Sequence, residues 1–251
     1  MKATQREWEK VFQDIDTTDS QITLFNERDT LLRNRLIKIF HDFFRRDGLT
    51  LDGGCGEGEW CFALDESGYR TIGIDIVPEA IKHAQRIKNH NRAESIFLIG
   101  DVTWLPIRDN VLGGYISLGL VEHFRYREDV NRAIEEAGRS LIPGGRGFFA
   151  LPGLLVCLRN SLSLWLTKCR TGIYHRYISK GYMEGLIEEA KLKLLESRYE
   201  EGWMGLNNLV DGIIKKLGSR KIRERSNIFW SNLKPVWFFS GNYFWTEKTL
   251  E

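Results

Sequence analysis

The stretch Leu51-Asp52-Gly53-Gly54-Cys55-Gly56-Glu57-Gly58 decides the fold, because it takes a short apolar strand directly into a cluster of glycines. Glycine has no Cβ, so glycines at alternate positions let the backbone turn sharply and come close to a ligand. A dinucleotide-binding loop requires the spacing G-x-G-x-x-G, but in the register that begins at Gly54 the last position is Glu59. We expect Glu59 to be buried, where its charge would repel a pyrophosphate. The stretch therefore favours a nucleoside ligand without phosphates.

Apolar segments of two periodicities alternate along the chain. Strands are predicted at 49–51, 70–74, 95–99, 114–118, 146–151, 193–199 and 235–244, helices at 8–15, 27–46, 60–67, 78–88, 127–140 and 182–190, and a turn at Pro143-Gly144-Gly145. Parallel strands connect only through long crossovers, so helices must cover both faces of the sheet. The pattern predicts an α/β fold: a Rossmann-like, doubly wound, mostly parallel sheet of seven strands whose last strand is antiparallel.

Three consecutive predicted strands end on groups suited to a nucleoside. Gly54 and Gly56 follow the first strand, Asp75 ends the second, and Asp101 ends the third. In an open parallel sheet, ligands bind beyond these carboxyl ends. A carboxylate at the position of Asp75 can accept two hydrogen bonds from a ribose diol, and Asp101 is placed to accept from an exocyclic amine such as that of adenine.

Residues from about 49 to 151 resemble a class I S-adenosylmethionine (AdoMet)-dependent methyltransferase, in the small-molecule group that includes the ubiquinone- and menaquinone-biosynthesis enzymes. Five motifs occur in the family's order and spacing. They are LDGGCGEG (51–58), GIDIVPEAI (73–81), GDVTWLPI (100–107), SLGLVEHF (117–124) and SLIPGG (140–145). The family commonly carries an aspartate where this chain has Gly114, and we expect that difference to affect local packing and not cofactor binding.

The resemblance implies that AdoMet is the cofactor and S-adenosylhomocysteine the product. It implies that Gly54 and Gly56 pass beneath the methionine part, and that the main chain at Leu118 faces the methionine amine. It also implies that Asp75 holds the ribose hydroxyls and Asp101 the adenine amine. The full set of expected cofactor-binding residues is Asp52, Gly53, Gly54, Cys55, Gly56, Gly58, Asp75, Ile76, Asp101, Val102 and Leu118, where Ile76 lies against the adenine and the Val102 backbone meets the ring.

Methyl transfer from a sulfonium is an in-line displacement, so the cofactor supplies the electrophile and the protein aligns the acceptor. The candidate catalytic residues are Glu122 and His123, just past the fourth strand, as proton acceptors if the acceptor must lose a proton. The alternative is that His123 only shapes the cofactor pocket or forms a hydrogen bond with a neighbouring residue. His175 is a further histidine that could reach the acceptor. We expect His41, His83 and His90 to lie on the solvent side of their helices.

The chain divides into four regions around this core. Residues 1–48 are helices that we expect to cover the cofactor site, and residues 49–151 form the AdoMet-binding core. Residues 152–180 interrupt the alternation as an insertion, and residues 181–251 complete the sheet and carry a basic run at 215–225. The insertion has an apolar helical face of Leu154, Leu158, Leu162, Trp165 and Leu166, which fits either a helix packed on the core or a lid over the acceptor.

The acceptor is expected to be a small molecule. The insertion, together with Tyr174, Tyr177, Tyr182 and Trp203, would favour an apolar or aromatic one. The basic run is either a solvated helix face or a site for an anionic head group, a phosphate or RNA. An RNA methyltransferase is therefore one alternative, although no accessory RNA-binding domain and no Asn/Asp-Pro-Pro-aromatic signature is visible. A non-catalytic AdoMet-binding module is the other.

Composition excludes several classes of protein. The formal net charge of +2 does not by itself indicate nucleic acid. The polar start predicts no signal peptide, and no apolar run reaches the ~18 residues of a transmembrane helix, although peripheral membrane contact stays open. Cys55, Cys61, Cys157 and Cys169 lack a C-x-x-C spacing, which predicts reduced thiols in a cytoplasmic protein and no metal site. The oligomeric state is left open.

Overall fold

The computed structural model describes residues 3–13, 27–152, 174–200 and 241–249. Within these residues the predicted alternation of strands and helices is confirmed, with bounds that shift by a few residues. The strands are β1 (Leu49–Gly53), β2 (Arg70–Asp75), β3 (Ile96–Ile99), β4 (Leu112–Leu118), β5 (Leu141–Pro152), β6 (Leu192–Glu200) and β7 (Gly241–Lys248). The helices are α1 (Ala3–Gln13), α2 (Glu27–Phe43), α3 (Glu59–Asp65), α4 (Pro78–Asn91), α5 (Arg127–Ser140) and α6 (Lys180–Glu189), with a 3₁₀ turn at Val121–His123.

The strands form one sheet of seven in the order β3-β2-β1-β4-β5-β7-β6. The pairs from β3 to β5 are parallel, whereas β7 is antiparallel to both β5 and β6. The predicted mostly parallel sheet with an antiparallel last strand is therefore confirmed. The chain winds outward from β1 to β3 and then returns to place β4 on the other side of β1. This reversal makes the carboxyl ends of β1 and β4 the expected ligand crevice.

Apolar side chains cover both faces of the sheet. Consecutive residues of one strand point to opposite faces, and β4 shows this in Tyr115 and Ile116, which belong to two different buried clusters. The Tyr115 cluster includes Ile134 of α5 and Leu186 of α6. The Ile116 cluster includes Phe40 of α2. The helices therefore hold the sheet from both sides and fix where its strand ends lie.

The close approach of α2 to the sheet explains a glycine that the family commonly replaces by aspartate. A Cβ on Gly114 would lie 2.9 Å from Cδ1 of the buried Phe44 and 2.8 Å from Oγ1 of Thr50. Beside it, a Cβ on Gly113 would lie 2.9 Å from the Cα of Gly48. At such distances a larger residue at position 114 would force its neighbours to shift, so Gly114 is a packing position at the amino end of β4.

The predicted turn Pro143-Gly144-Gly145 is wrong as a break before the fifth strand. β5 already begins at Leu141, which pairs with Leu112, and the next pair joins Arg146 to Gly114. Residues 142–145 therefore bulge inside the strand, and Gly144 takes a φ of 74° there. The residues that predicted a turn form a β-bulge instead, because β5 resumes its pairing with β4 after them.

Several predictions lie outside the described residues. They concern the apolar face of the insertion (Leu154, Leu158, Leu162, Trp165 and Leu166), Trp203, Cys157, Cys169 and the basic run at 215–225. In the ranges that are described, no helix combines the length and the apolar character needed to cross a membrane.

Candidate cofactor and acceptor site

The loop after β1 has a backbone that only glycine adopts readily. Gly54, Gly56 and Gly58 have φ values of 76°, 54° and 84°, in the left-handed region that a Cβ disfavours. The N–H groups of Gly54 and Cys55 both donate to the carbonyl of Ile74, at 2.8 and 3.0 Å. The loop is thus tied back to β2 at the carboxyl ends of the strands.

Asp75, the last residue of β2, joins the glycine loop to α4. Its Oδ2 accepts a hydrogen bond from the Gly56 N–H at 2.9 Å, and its Oδ1 accepts one from the Val77 N–H at 2.9 Å. Burial raises the pKa of Asp75, while these backbone donors lower it. Each carboxylate oxygen has a second lone pair, so Asp75 can still accept hydrogen bonds from a ligand such as a diol.

Asp52 lies beneath the loop, near the end of β1. It is buried, and burial followed by the nearby charge of Asp75 raises its pKa to about 8. The Cys61 thiol donates to its Oδ2 at 3.9 Å. The Tyr115 hydroxyl fills the adjacent floor, 2.4 Å from where a Cβ on Gly53 would sit. Asp52 is therefore largely protonated at neutral pH and belongs to the floor of the crevice.

Asp101, after β3, is held by a turn of its own. Its Oδ1 accepts from the backbone N–H of Thr103 at 2.9 Å and from the Thr103 hydroxyl at 2.8 Å. Val102 is buried, whereas Trp104 exposes 77% of its surface beside the same turn. The turn therefore fixes the carboxylate at the third strand end next to an exposed aromatic ring.

The end of β4 brings a buried carboxyl group to the crevice. After Leu118 the chain turns at Gly119 with a φ of 69°, and Oε1 of Glu122 lies 3.4 Å from the position of a Cβ on that glycine. Glu122 is 4% exposed, and its Oε2 has no hydrogen-bond partner within the described ranges. Burial raises the pKa of Glu122 to about 8. Its side chain is thus a neutral, incompletely bonded group next to the cofactor end of β4.

His123 has a fixed tautomer and a neutral ring. Its Nδ1 lies 2.9 Å from the carbonyl oxygen of Tyr174; a carbonyl can only accept, so Nδ1 carries the hydrogen, and the Gly119 backbone is a further hydrogen-bond partner of the ring. Burial lowers the pKa of His123 to about 4. The rings of Trp8 and His175 lie with their centroids 5.1 and 4.4 Å from the imidazole. An aromatic wall therefore surrounds the imidazole at the end of β4.

Helix α1 reaches from the glycine loop to His123. Phe12 lies 3.7 Å from the position of a Cβ on Gly56, and Trp8 packs on His123 one helical turn earlier. Glu7 forms an ion pair with Arg125 and accepts a hydrogen bond from the Tyr174 N–H at 3.3 Å. One helix thus contacts both the glycine loop and the aromatic wall.

Two sequence predictions about this region are wrong. His83 is buried and not on the solvent side: its Nδ1 lies 3.0 Å from Oε1 of Glu57, and Phe12 packs against its ring. Glu59 is half-buried and not buried, since it is the first residue of α3. His41 and His90 are exposed, as predicted.

Some residues of the site could not be assigned to it from the sequence. Trp8 and Phe12 recur at helical spacing, which predicts an amphipathic helix but not which surface it covers. The carbonyl of Tyr174 leaves no sequence signal at all. In the ranges given above, no group of three or more His, Cys, Asp or Glu side chains has the arrangement of a metal site.

A doubly wound sheet with a glycine loop after β1, a carboxylate at the end of β2 and another after β3 defines a class I AdoMet-dependent methyltransferase domain. Residues 51–149 match the family described as methyltransferase domain. This match covers about two-fifths of the chain, which over these residues is similar to a methyltransferase domain, and AdoMet is the cofactor that the likeness supports.

The curated sequence relatives match less than half of the chain. A probable tRNA methyltransferase 9B from Mus musculus is 33% identical over 98 residues, which cover 39% of this chain and 20% of that protein. The match therefore spans about a fifth of the length of the relative.

Solved structures extend the likeness in fold to most of the chain. A SAM-dependent methyltransferase from Methanosarcina mazei has a TM-score of 0.62 at 19% identity and covers 85% of this chain and 98% of its own. Magnesium protoporphyrin IX methyltransferase from Synechocystis PCC 6803, solved with bound S-adenosylhomocysteine, has a TM-score of 0.59 at 12% identity and covers 97% and 93%. At such identities the likeness establishes the fold alone.

Proposed function

We propose that this protein transfers the methyl group of AdoMet to a small, apolar or aromatic acceptor that binds between the end of β4 and residues 174–178. The observation that carries the proposal is the surroundings of His123, whose ring faces Trp8 and His175 beside the strand end where the cofactor binds. Aromatic walls of this kind suit an apolar or planar acceptor. The position next to the crevice suits alignment of that acceptor with the methyl carbon.

We assign different parts of the cofactor to residues at different strand ends. We assign the ribose hydroxyls to Asp75, the adenine amine to Asp101 and the methionine amine to the main chain at Leu118. The glycines with positive φ fit a cradle for the cofactor, because a loop without Cβ atoms lets a ligand approach the backbone closely. Helix α1 would cover the bound cofactor through Phe12.

Neither candidate proton acceptor is tuned for strong base catalysis at neutral pH. The pKa of His123, about 4, leaves its ring neutral but weakly basic, and the pKa of Glu122, about 8, leaves that group mostly protonated. A general base must be unprotonated when the acceptor arrives and basic enough to take its proton. We therefore assign His123 the task of shaping the acceptor site with its ring, and expect a nucleophile that attacks without prior removal of a proton.

RNA is the second candidate acceptor. It is favoured by the relatives of the core, which are described as probable tRNA methyltransferases. Arg125 lies 5.3 Å from the centroid of Tyr174 and is partly exposed near the His123 wall, where a phosphate could approach.

One labelling experiment separates the two candidates. The protein is incubated with methyl-labelled AdoMet and, in parallel, with a protein-free small-molecule extract or with total RNA from the same cells. Label in the small-molecule fraction, lost in His123→Ala, supports the proposal. Label in RNA alone would replace it by the second candidate, and absence of label with both, despite measurable binding of S-adenosylhomocysteine, would contradict both.

A further inference from the structure

The carboxyl group of Glu122 is a buried polar group whose hydrogen bonding is incomplete. The residue is 4% exposed, and Oε2 has no partner among the residues that the structure describes. Oε1 lies 3.9 Å from Nε2 of His123, beyond hydrogen-bond length. Because buried polar groups are almost always bonded, an orphaned carboxyl oxygen in a crevice indicates a ligand that completes it.

The position of the Glu122 carboxyl group indicates which part of the ligand it contacts. Oε1 of Glu122 comes within 3.4 Å of the position of a Cβ on Gly119, directly after Leu118 at the end of β4. In the proposed function the methionine amine of the cofactor approaches the main chain at that same strand end. An ammonium group has three donors and no acceptor, so a carboxylate is its natural partner.

We infer that Glu122 is the counter-charge of the cofactor's α-ammonium group, and that it releases a proton when the cofactor binds. The inference rests on the proposed function in that AdoMet must occupy the crevice. In the bound state the carboxyl O–H bond is broken, the proton passes to the solvent, and the carboxylate accepts a hydrogen bond from the ammonium. No other bond is made or broken.

Without a ligand, the surroundings of Glu122 favour the neutral form of its carboxyl group. Burial raises its pKa to about 8, so without a cation it is mostly protonated at neutral pH and is not ready to take a proton from an acceptor. The apolar cluster around its turn includes Val130 of α5 and Leu151 of β5. A cation placed beside the group would restore the charged form by direct attraction.

Other titratable groups surround the same turn and must be separated from Glu122 in any test. His123 lies on the turn itself, with His175 beside its ring, and the Arg176 N–H donates to the Glu122 carbonyl oxygen at 2.7 Å. Glu7 of α1 reaches the same segment through Tyr174. At the end of β1, Asp52 is a second buried carboxyl group with a raised pKa. A variant of Glu122 alone is therefore the necessary comparison.

The test counts protons released on binding. Calorimetric titration of S-adenosylhomocysteine at pH 7, in buffers of different ionisation enthalpy, gives the number of protons released by the wild type and by Glu122→Gln. Glutamine is neutral and close in shape to protonated glutamate, so the variant should fold as the wild type does. We expect the wild type to release about one proton more, because a group with a pKa near 8 is mostly protonated at pH 7.

Two controls identify the source of that proton. 5′-Methylthioadenosine lacks the amino-acid part of the cofactor, so its binding should release the same number of protons from the wild type and from Glu122→Gln. Asp52→Asn should keep the Glu122-dependent proton. Glu122→Gln should also bind S-adenosylhomocysteine roughly tenfold more weakly at pH 7, and this ratio should shrink by roughly tenfold per pH unit between pH 7.5 and 6.

Equal proton release by wild type and Glu122→Gln, or equal affinity at pH 7.5, would overturn the inference while the assignment of AdoMet stands. An excess proton seen also with 5′-methylthioadenosine would overturn it as well, because the ammonium would not be its cause. Failure of the folded wild type to bind S-adenosylhomocysteine at all would overturn the proposed function and the inference together.

Discussion

Oδ2 of Asp75 accepts a hydrogen bond of 2.9 Å from the backbone N–H of Gly56, so the carboxylate that ends β2 holds the glycine loop that follows β1. The other oxygen of Asp75 accepts from the N–H of Val77 at the start of α4. The group assigned to the ribose thus also shapes the loop assigned to the methionine. Losing this side chain should affect both parts of the cofactor site.

Asp75→Ala should weaken binding of S-adenosylhomocysteine by roughly a hundredfold or more, because hydrogen bonds to a charged group contribute roughly 1.5–3 kcal/mol each. Asp75→Asn, which keeps one acceptor oxygen, should fall between Ala and the wild type. Calorimetry measures the affinity of both variants for S-adenosylhomocysteine. The control is Asp65→Ala, which removes a carboxylate that also accepts a backbone N–H, that of Glu94 at 2.8 Å, but at the amino ends of the strands. Wild-type affinity in Asp75→Ala would contradict the assignment.

Gly58→Ala should lower the free energy of unfolding by more than Gly68→Ala. Both glycines have a φ near 85°, where alanine is strained by roughly 1–2 kcal/mol. A Cβ on Gly68 meets nothing within 4 Å, whereas one on Gly58 would lie 2.4 Å from the buried ring of Phe97. Urea unfolding of the two variants separates backbone strain from this clash. Equal losses would show that the ring moves aside without cost.

The order of the elements and the strand-end positions of Asp75 and Asp101 could be predicted from the sequence because each depends on local patterns. A period of two or of 3.6 identifies an element, and parallel strands separated by helices bring their carboxyl ends to one edge. The error at Pro143-Gly144-Gly145 arose because the outcome there depends on a contact between residues far apart in the chain. Whether a turn signal ends a strand or bulges within it depends on pairing with Leu112, about thirty residues away, which no local pattern contains.

His83 shows the same limit for side chains. Its helix is amphipathic, and a histidine on such a helix is predicted to face the solvent. In the structure, Phe12 of α1 and Glu57 of the glycine loop cover it. Burial of this kind arises from contacts between elements far apart in the chain. The acceptor side of the site was hard to predict for that reason, since His123 is fixed by a backbone carbonyl, that of Tyr174.

Phe12→Ala should speed the release of S-adenosylhomocysteine several-fold. If α1 covers the cofactor, the ring that lies over Gly56 must move before the ligand leaves, and alanine removes most of that cover. Stopped-flow displacement measures the rate constant of release. Val11→Ala changes a half-buried apolar residue of the same helix and is the control for helix docking in general. A rate unchanged by Phe12→Ala, or changed equally by Val11→Ala, would contradict the cover.

His123 should make stability depend on pH on the acid side. In the unfolded chain its pKa is close to 6.5, whereas burial lowers the folded value to about 4. The unfolded state therefore binds the proton first, and stability falls as the pH drops from about 6.5 to about 4, by roughly 3 kcal/mol. His123→Asn keeps an N–H donor for the Tyr174 carbonyl and should remove this part of the slope in urea unfolding.

The exposed His90 provides the matched histidine for that experiment. His90→Asn should retain the acid-side slope of the wild type between pH 6.5 and 4. A slope that persists in His123→Asn would mean that the His123 ring becomes protonated without loss of the fold.

Asp52→Asn should raise stability and weaken cofactor binding at the same time. The folded pKa of Asp52, about 8, exceeds its unfolded value of about 3.9. The native state thus binds the proton more tightly, and the contribution of this group to stability declines as the pH rises from about 4 to about 8. Asparagine carries no charge to bury, so the gain in the free energy of unfolding over the wild type should grow with pH by up to about 1.4 kcal/mol per unit and level off above pH 8.

Urea unfolding at pH 5, 6.5 and 8 measures this gain, and Asp52→Ala controls for the new amide. The alanine variant should show the same trend with pH, shifted to lower stability by the loss of the Cys61 thiol contact and by the cavity left behind. Calorimetry with S-adenosylhomocysteine should show the lost affinity, because a cationic ligand favours the carboxylate form of Asp52, which asparagine cannot adopt. A gain that does not change between pH 5 and 8 would mean that the carboxyl group is solvated in the folded protein, and the floor of the crevice would then be open to water.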